Sequence, residues 1–311
     1  MASLKEIKQR ISSVQGTKKV TSAMKMVSSA KLHKAQGIIA GLLPYQKALD
    51  SIVAIFLDGE VEIKSPFMAP SHEGRTAIVV FSSNSALCGA FNYNIIKEFI
   101  AVVSEIRKQA SLSDGEETTS LVDIYPIGKK VEEAVVKMGF EVAKIEGYKD
   151  GDYQRLAAKP SRAVITKLAK HLMSEFEAGR INEVKLIYHH FKSAGVQTVT
   201  CETLIPIDLE SIKASIDSNT SLSSRQYLHN YIVEPSVDKV VAKLIPQIIT
   251  QKLYTVLADS FTSEHAARTM AMQVATDNAE DLIGELTILY NKSRQSAITA
   301  ELLDIVAGSA K

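Results

Sequence analysis

Ser263-Glu264-His265-Ala266-Ala267-Arg268-Thr269-Met270-Ala271-Met272 opens a stretch that continues through Ala275-Thr276-Asp277-Asn278-Ala279. It closes with Tyr290-Asn291-Lys292-Ser293-Arg294-Gln295 and Ile298-Thr299-Ala300-Glu301-Leu302. Its residues are largely Ala, Leu, Met, Glu, Gln and Arg, all good helix formers. Between Thr262 and Gly308 there is one glycine, Gly284, and no proline. Apolar or small residues at Ala275, Ala279, Leu282, Leu286 and Leu289 alternate steps of four and three. That spacing is a coiled-coil seam rather than the wider stripe of a globular helix. It predicts one long helix that needs a partner helix, either elsewhere in this chain or in another.

The other end of the chain offers such a partner. Residues 1–57 read as helix. Leu4, Ile7, Ile11 and Val14 form one set of apolar positions, and Val20, Met24 and Val27 a second. Thr17 links the sets by successive steps of three, which predicts a stammer. A further seam runs through Ile38, Leu42, Tyr45, Leu49, Ile52 and Phe56, with Pro44 expected to kink the helix or mark a joint. At about 1.5 Å per residue the segment reaches about 85 Å, more than a single globular domain of this size encloses. Residues 1–36 carry eight Lys or Arg against one acid, Glu6, whereas residues 264–311 carry four bases against seven acids. Solvated helix faces would account for either bias alone. Together they make the two ends complementary, and the economical arrangement is an antiparallel coiled coil in which Val20, Met24 and Val27 face Ala275, Ala279, Leu282 and Leu286. Residues 302–311 then outrun the N-terminal helix as a lone tip.

The whole chain has 311 residues, a formal net charge of +1, 6% aromatics and no Trp. A near-balanced charge excludes a gross basic field for nucleic acid. The two cysteines, Cys88 and Cys201, have no CxxC spacing, which fits a reducing compartment. No apolar run approaches the roughly 18–20 residues of a membrane span. The nearest, residues 38–56, is interrupted by Pro44, Gln46, Lys47 and Asp50.

Between the helices the period changes. Residues 58–75 form a connector broken by Gly59, Pro66, Pro70 and Gly74. Strands are expected at 76–81, 121–126, 141–146, 183–192 and 196–205, and helices at 92–109, 129–138 and 161–176. This alternation predicts an α/β domain over 76–210 with a largely parallel sheet, closed by a hairpin across Ser193-Ala194-Gly195. Residues 211–230 read as a polar linker. A second long helix, in the segment 231–311, carries Val240, Leu244, Ile248, Leu253 and Leu257, with Pro246 as an irregularity. The expected fold is therefore α/β plus long helices: an antiparallel coiled coil of the chain's ends with an inserted Rossmann-like domain.

Little here points to catalysis. The loop Ser82-Ser83-Asn84-Ser85-Ala86-Leu87-Cys88-Gly89-Ala90-Phe91-Asn92 follows the first strand, where a phosphate loop would sit. Phosphate loops need glycines so that backbone N–H groups can approach the ligand. Gly89 is the only glycine, and neither GxGxxG nor GxxxxGK[ST] is present. Gly128-Lys129-Lys130 reads as a helix start with solvated lysines. Cys88 reads as a small buried residue, since no partner base is evident. His189 and His190 are strand neighbours and point to opposite faces, and the other histidines have no ligand spacing. No catalytic, cofactor or metal residue is nominated. Met24, Met26, Met270 and Met272 are ordinary core filler, although a Met-rich surface can also repack against different partner faces.

The wording of both terminal stretches resembles the gamma subunits of bacterial F-type ATP synthases, the rotor shafts of those machines. The likeness rests on the C-terminal stretch quoted above. It rests equally on Ile7-Lys8, Arg10-Ile11, Ser13-Val14, Thr17, Val20-Thr21-Ser22-Ala23-Met24-Lys25-Met26-Val27 and Ala30-Lys31-Leu32, and on Tyr231-Ile232-Val233-Glu234-Pro235-Ser236. The middle of the chain is covered more thinly. Asn84, Ser85 and Ala86 replace the family's acidic-basic-glycine trio before Leu87-Cys88-Gly89.

The resemblance implies a non-catalytic shaft that couples ion flow to ATP synthesis or hydrolysis. Its implied partners are an alpha/beta catalytic hexamer, an epsilon subunit and a membrane rotor ring, with no cofactor, no nucleic acid and no nucleotide bound directly. Met24 and Arg268 are implied to face the lower rim of the hexamer, Arg294, Gln295 and Thr299 the loops of a catalytic subunit, and Tyr231 and Glu234 the ring. Its implied place is peripheral, on the cytoplasmic face of the bacterial cell membrane. The family-like text begins almost at Met1, so no presequence is expected. Two other classes stay open from the residues alone. One is a nucleotide-dependent α/β enzyme with helical oligomerisation arms, and the other a coiled-coil arm binding nucleic acid through residues 1–36.

Overall fold

A β-branched, apolar run with no glycine or proline favours a strand buried on both faces, and Arg75–Phe81 is such a run. In the computed structural model it is the strand that both parallel partners flank. The structure describes residues 4–58, 65–68, 74–109, 121–145, 148–149, 151–207, 233–234 and 236–309. In chain order the elements are α1 (Leu4–Asp58), β1 (Arg75–Phe81), α2 (Phe91–Gln109), β2 (Val122–Ile127), α3 (Lys129–Lys137) and α4 (Asp152–Ala158). They continue with α5 (Arg162–Glu177), β3 (Ile181–Ser193), β4 (Val196–Ile205) and α6 (Val237–Ser309). The chain divides into two compact units, one of Met1–Ala30 with Arg268–Lys311 and one of Lys31–Ala267.

In the second unit the sheet order is β2-β1-β3-β4. β1 pairs parallel with both β2 and β3, with Val79 opposite Tyr125 and Leu186, while β3 and β4 form the expected antiparallel hairpin. Alternation along β1 divides the core. Ala77, Val79 and Phe81 face α5, the first thirty residues of α6 and Phe67. Ile78 and Val80 face α2 and α3 through Ile95, Phe99, Val131 and Val135. Helix α6 contributes Val241, Ile245, Ile249, Leu253, Val256 and Leu257 to the first of these cores.

Several details differ from the sequence reading. Residues 141–146 are expected to form a strand, but among the described residues 141–145 only Val142 pairs, in one isolated parallel bridge to Ile124. Tyr153 and Ile145 instead belong to the packing around α4, a seven-residue helix too short to leave a periodic signal. Pro44 and Pro246 do not differ: they lie inside α1 and α6, as expected, and end neither helix. A missing N–H costs one backbone bond, which long flanking helical segments outlast. The connector also supplies core: Phe67 is buried, its ring 6.1 Å from that of Phe176, and its carbonyl accepts from Ile207 N at 2.8 Å.

In the first unit the two helices are antiparallel. Thr276 Oγ1 donates to Thr21 Oγ1 at 2.8 Å, and Lys18 Nζ lies 3.0 Å from Glu280 Oε1. Carried along both helices, that register sets Val14 opposite Ile283, Ile11 opposite Leu286 and Ile7 opposite Tyr290. The shielded stripe of α1 here is Ile7, Ile11, Val14, Lys18, Thr21, Lys25 and Ser28, in unbroken steps of four and three. The stripe of α6 is Met272, Thr276, Ala279, Ile283, Leu286 and Tyr290.

The expected seam is thereby corrected. Val20 and Val27 are 59% and 57% exposed, and Leu282 and Leu289 are exposed as well. The stammer at Thr17 disappears, because the stripe passes through Lys18 and Thr21, which a purely apolar count skips. Met24 and Ala275 are half-buried, and Ala279 and Leu286 hold their expected places. Residues 301–309 are exposed throughout, as a helix that outruns its partner requires.

Burying a Leu-sized side chain contributes about 1.5–3 kcal/mol, while an exposed ion pair such as Lys18–Glu280 contributes about 0–1 kcal/mol. The apolar layers below Lys18 therefore carry the pairing, and the polar layers set its register. Ile7→Ala should cost about 2–5 kcal/mol, whereas Val20→Ala should stay within about 0.5 kcal/mol. Urea titrations of the two variants check this ordering.

Candidate functional site

A Rossmann-like sheet offers its ligand crevice at the carboxyl ends of its parallel strands, beside helix N-termini that present free N–H groups. Here that end is filled by the protein's own groups. Asn84 Oδ1 accepts from Lys129 N at 3.0 Å, the Ser83 carbonyl from Lys130 N at 3.1 Å, and Ser82 Oγ from Val131 N at 3.0 Å. The three leading donors of α3 are thus satisfied from the β1–α2 loop. Gly128, at φ 113°, makes the approach possible, since a Cβ there would lie 2.3 Å from the Ser82 carbonyl oxygen. Asn84 also ties the loop to the far side by donating to the Gln154 carbonyl at 2.7 Å. Lys129 and Lys130 turn to Glu133, at 3.8 and 2.9 Å. The pair reads as a helix start, and neither lysine is held toward a phosphate.

The loop is fixed internally as well. Ser83 N donates to Asn92 Oδ1 at 3.1 Å, Asn92 Nδ2 donates to Ser83 Oγ at 2.8 Å, and Ser83 Oγ donates to the Ser85 carbonyl at 2.7 Å. Cys88 is buried with its sulfur 3.2 Å from Asn92 Nδ2, in the packing role expected of it. Behind the loop, Leu257, Ser260, Phe261 and Glu264 of α6 close over Phe81, Ser82, Ile127 and Ala157, leaving a cavity of about 10 Å³. That is room for about one water molecule.

The histidine pair divides as strand geometry requires. His189 is 2% exposed and stacks on Phe91 with ring centroids 4.1 Å apart. Burial pushes its imidazole down to about 4. His190, on the other face, places Nδ1 2.6 Å from Asp259 Oδ2, and Asp259 Oδ1 accepts from Phe191 N at 2.9 Å. Burial pushes the Asp259 carboxyl up, against the pull of those two hydrogen bonds. Ser263 Oγ donates to the His189 carbonyl at 3.1 Å. Lys252 meets Glu202 at 3.2 Å. Sequence reasoning missed this seat of the hairpin on α6, because no local motif joins residues 190 and 259. Among the described residues no group of three or more His, Cys, Asp or Glu could hold a metal, and no helix is long and apolar enough to cross a membrane.

The nominated contact residues are not brought into one cluster. Met24 is half-buried and Arg268 is 6% exposed, both in the first unit. Arg294, Gln295 and Thr299 are exposed along α6, where Thr299 Oγ1 donates to the Gln295 carbonyl at 2.9 Å. Glu234 is exposed, and Tyr231 lies outside the described residues, as do residues 111–119 and 211–230 and most of the 58–75 connector.

Two chain-terminal helices paired antiparallel and an α/β insert whose strand ends are capped by its own side chains define a helical-hairpin protein with an inserted α/β domain. Residues 3–310 match the family described as ATP synthase. Over 309 residues the chain is 52% identical to the ATP synthase gamma chain of Bacteroides fragilis and 50% identical to that of Phocaeicola vulgatus, covering 99% of this chain and of each relative. The chain belongs to the ATP synthase gamma chain family. Its fold is also that of a chain in the rotor of the Euglena gracilis mitochondrial ATP synthase. That chain is 16% identical, with a TM-score of 0.58, and the match covers 95% of this chain and 98% of the other.

Ser82→Ala should cost about 1–3 kcal/mol, because the Val131 N–H is left buried and unpaired; denaturant unfolding measures the loss. The His189 imidazole contributes stability that is fully present above pH 6.5, its unfolded value, and is lost as pH falls toward about 4. That limb amounts to roughly 3 kcal/mol. His189→Phe keeps the stack on Phe91 and should flatten it, as thermal melts between pH 4 and 7 would reveal.

Proposed function

We propose that the chain is the central rotor shaft of a bacterial F-type ATP synthase, coupling ion translocation to ATP synthesis or hydrolysis by rotation. The observation that carries this reading is the antiparallel pairing of the chain's two ends, in a sequence half identical along its whole length to ATP synthase gamma chains. The working parts on this reading are shaft helices within 1–57 and 231–311 and an α/β domain within 76–210, joined by 58–75 and 211–230. The shaft itself makes and breaks no bonds. Its partners are the alpha/beta catalytic hexamer, the epsilon subunit and the membrane ring. Its place is peripheral, on the cytoplasmic face of the cell membrane.

A shaft of this kind works by differential contact. At each angle it touches three chemically identical catalytic subunits differently, so each subunit has its own conformational free energy. Exposed apolar residues in the first unit, among them Val20, Met26, Val27, Met270 and Val274, offer smooth and adaptable contact. Arg294, Gln295 and Thr299 supply polar contact to loops of a catalytic subunit. Met24 and Arg268 lie toward the hexamer rim, and Tyr231 and Glu234 toward the ring. A nucleotide-dependent enzyme is disfavoured by the α3 donors already being satisfied. A nucleic-acid arm is disfavoured by Lys18 being turned to Glu280.

A tagged chain should co-purify with a hexameric ATPase, and the chain alone should neither hydrolyse ATP nor bind it at micromolar concentration. Recovery of the chain alone from its native membranes, or tight ATP binding by it, overturns the reading. Met24→Lys should lower ion pumping more than ATP hydrolysis in reconstituted vesicles, since a half-buried new ammonium forms or breaks an ion pair at the rim. Equal loss of both activities, or no loss, removes Met24 from the coupling contact.

A further inference from the structure

The second unit contains residues 31–58 of α1 and 237–267 of α6, and each segment carries a shielded stripe in alternating steps of three and four. On α1 it runs Leu32, Ala35, Ile39, Leu42, Gln46 and Leu49; on α6 it runs Leu244, Ile248, Gln251, Thr255, Ala258 and Thr262. Most of these residues are apolar or small, and the Thr262 hydroxyl is satisfied by the Ala258 carbonyl at 2.8 Å. Three are not satisfied. Gln251 is 1% exposed, and neither atom of its amide has a partner. The Thr255 hydroxyl and Gln46 Oε1 are buried and unpartnered too.

Buried polar groups without partners are rare and costly, and three within a few turns call for a cause. The matching phase of the two stripes supplies one. An antiparallel alignment of these two stripes that sets Leu42 beside Thr255 also sets Gln46 beside Gln251, one layer away. We propose that Gln46 and Gln251, with Thr255 in the adjoining layer, form one polar cluster, bridged by ordered water, that holds α1 and α6 in a single register. A water between them has the two to four polar partners that a buried water needs. A buried polar side chain at a seam position specifies register in coiled coils at some cost in stability. Slipping α6 by one heptad would set Gln251 against Ile39 and Gln46 against Leu244 in one direction, and Gln46 against Ala258 in the other, separating the two amides with no shared water. The stripe is otherwise aliphatic and would tolerate the slip. The cluster therefore blocks the sliding mode that a seam of apolar and small residues alone leaves open.

The test uses the full chain in a Cys201→Ser background. Ala258→Cys is combined with Ile39→Cys, in register, or with Leu32→Cys, one heptad out. A disulfide needs Cα atoms within about 7 Å, and one heptad displaces them by about 10 Å. With both glutamines present, the Ile39→Cys pair should close at least tenfold faster. In Gln46→Leu/Gln251→Leu that preference should fall toward parity. Gln46→Leu and Gln251→Leu alone should each lower Tm by about 2–4 °C, and the double variant should recover most of the loss. Faster closure of the out-of-register pair with both glutamines present, an undiminished preference in the double variant, or strictly additive losses in Tm would each overturn the proposal. A double variant that fails to fold counts as an additive loss, and the two cysteine pairs in the parent chain still test the register.

Discussion

Helix α6 has to be buried on two sides along its first part and on one side along its last. From Val241 to Leu257 it gives one face to the sheet and carries a second, heptad-spaced stripe. From Thr276 onward only the single stripe remains. A helix buried on both sides must be apolar almost all round, and one buried on a single seam must not be. The composition obeys this, passing from the Leu- and Ile-rich turns near Ile249 to the Asp, Asn, Glu and Gln of residues 277–295. The change of character along one continuous helix allows a single element to anchor a domain at one end and form a slender pair at the other.

The α/β insert shows the same economy in its polar groups. In an open α/β sheet the strand ends and helix N-termini are left unsatisfied and so are available to a ligand. Here Ser82, Ser83 and Asn84 take those positions, and α6 packs over the mouth through Ser260, Phe261 and Glu264. Groups that would serve chemistry elsewhere serve cohesion in this protein. For a part that transmits force this is a gain, since an internal hydrogen bond holds whether or not a metabolite is present.

The strands were legible in the sequence because a two-residue period and β-branched runs such as Ala77 to Phe81 admit few other readings. The existence of two long helices was equally plain. Their exact seam was not. Counting apolar residues selected Val20, Val27, Leu282 and Leu289, all of which face outward, and passed over Lys18, Thr21 and Ser28, which are shielded. A lysine can lie along a seam with its stem covered and its ammonium at the edge, so its type hides its position. The sealed strand end was visible only as missing glycines, and the acceptors that replace a phosphate had no motif to announce them. The single bridge at Val142 and the short α4 lay below the length at which periodicity is informative.

The Thr21–Thr276 pair spans 255 residues of chain, which gives the polar seam of α1 a consequence during synthesis. At about 5–20 residues per second, the N-terminal helix leaves the ribosome roughly 10–50 s before its partner exists. Through that interval its contact stripe faces water or other nascent chains. A continuous aliphatic stripe would seek substitutes among them. The polar stretch of that stripe, Lys18, Thr21, Lys25 and Ser28, interrupts the aliphatic run, is well hydrated while it waits, and repels a second copy through its lysines. The weak layers that leave the finished pairing dependent on a few apolar contacts are thus the ones that keep the unfinished chain solitary.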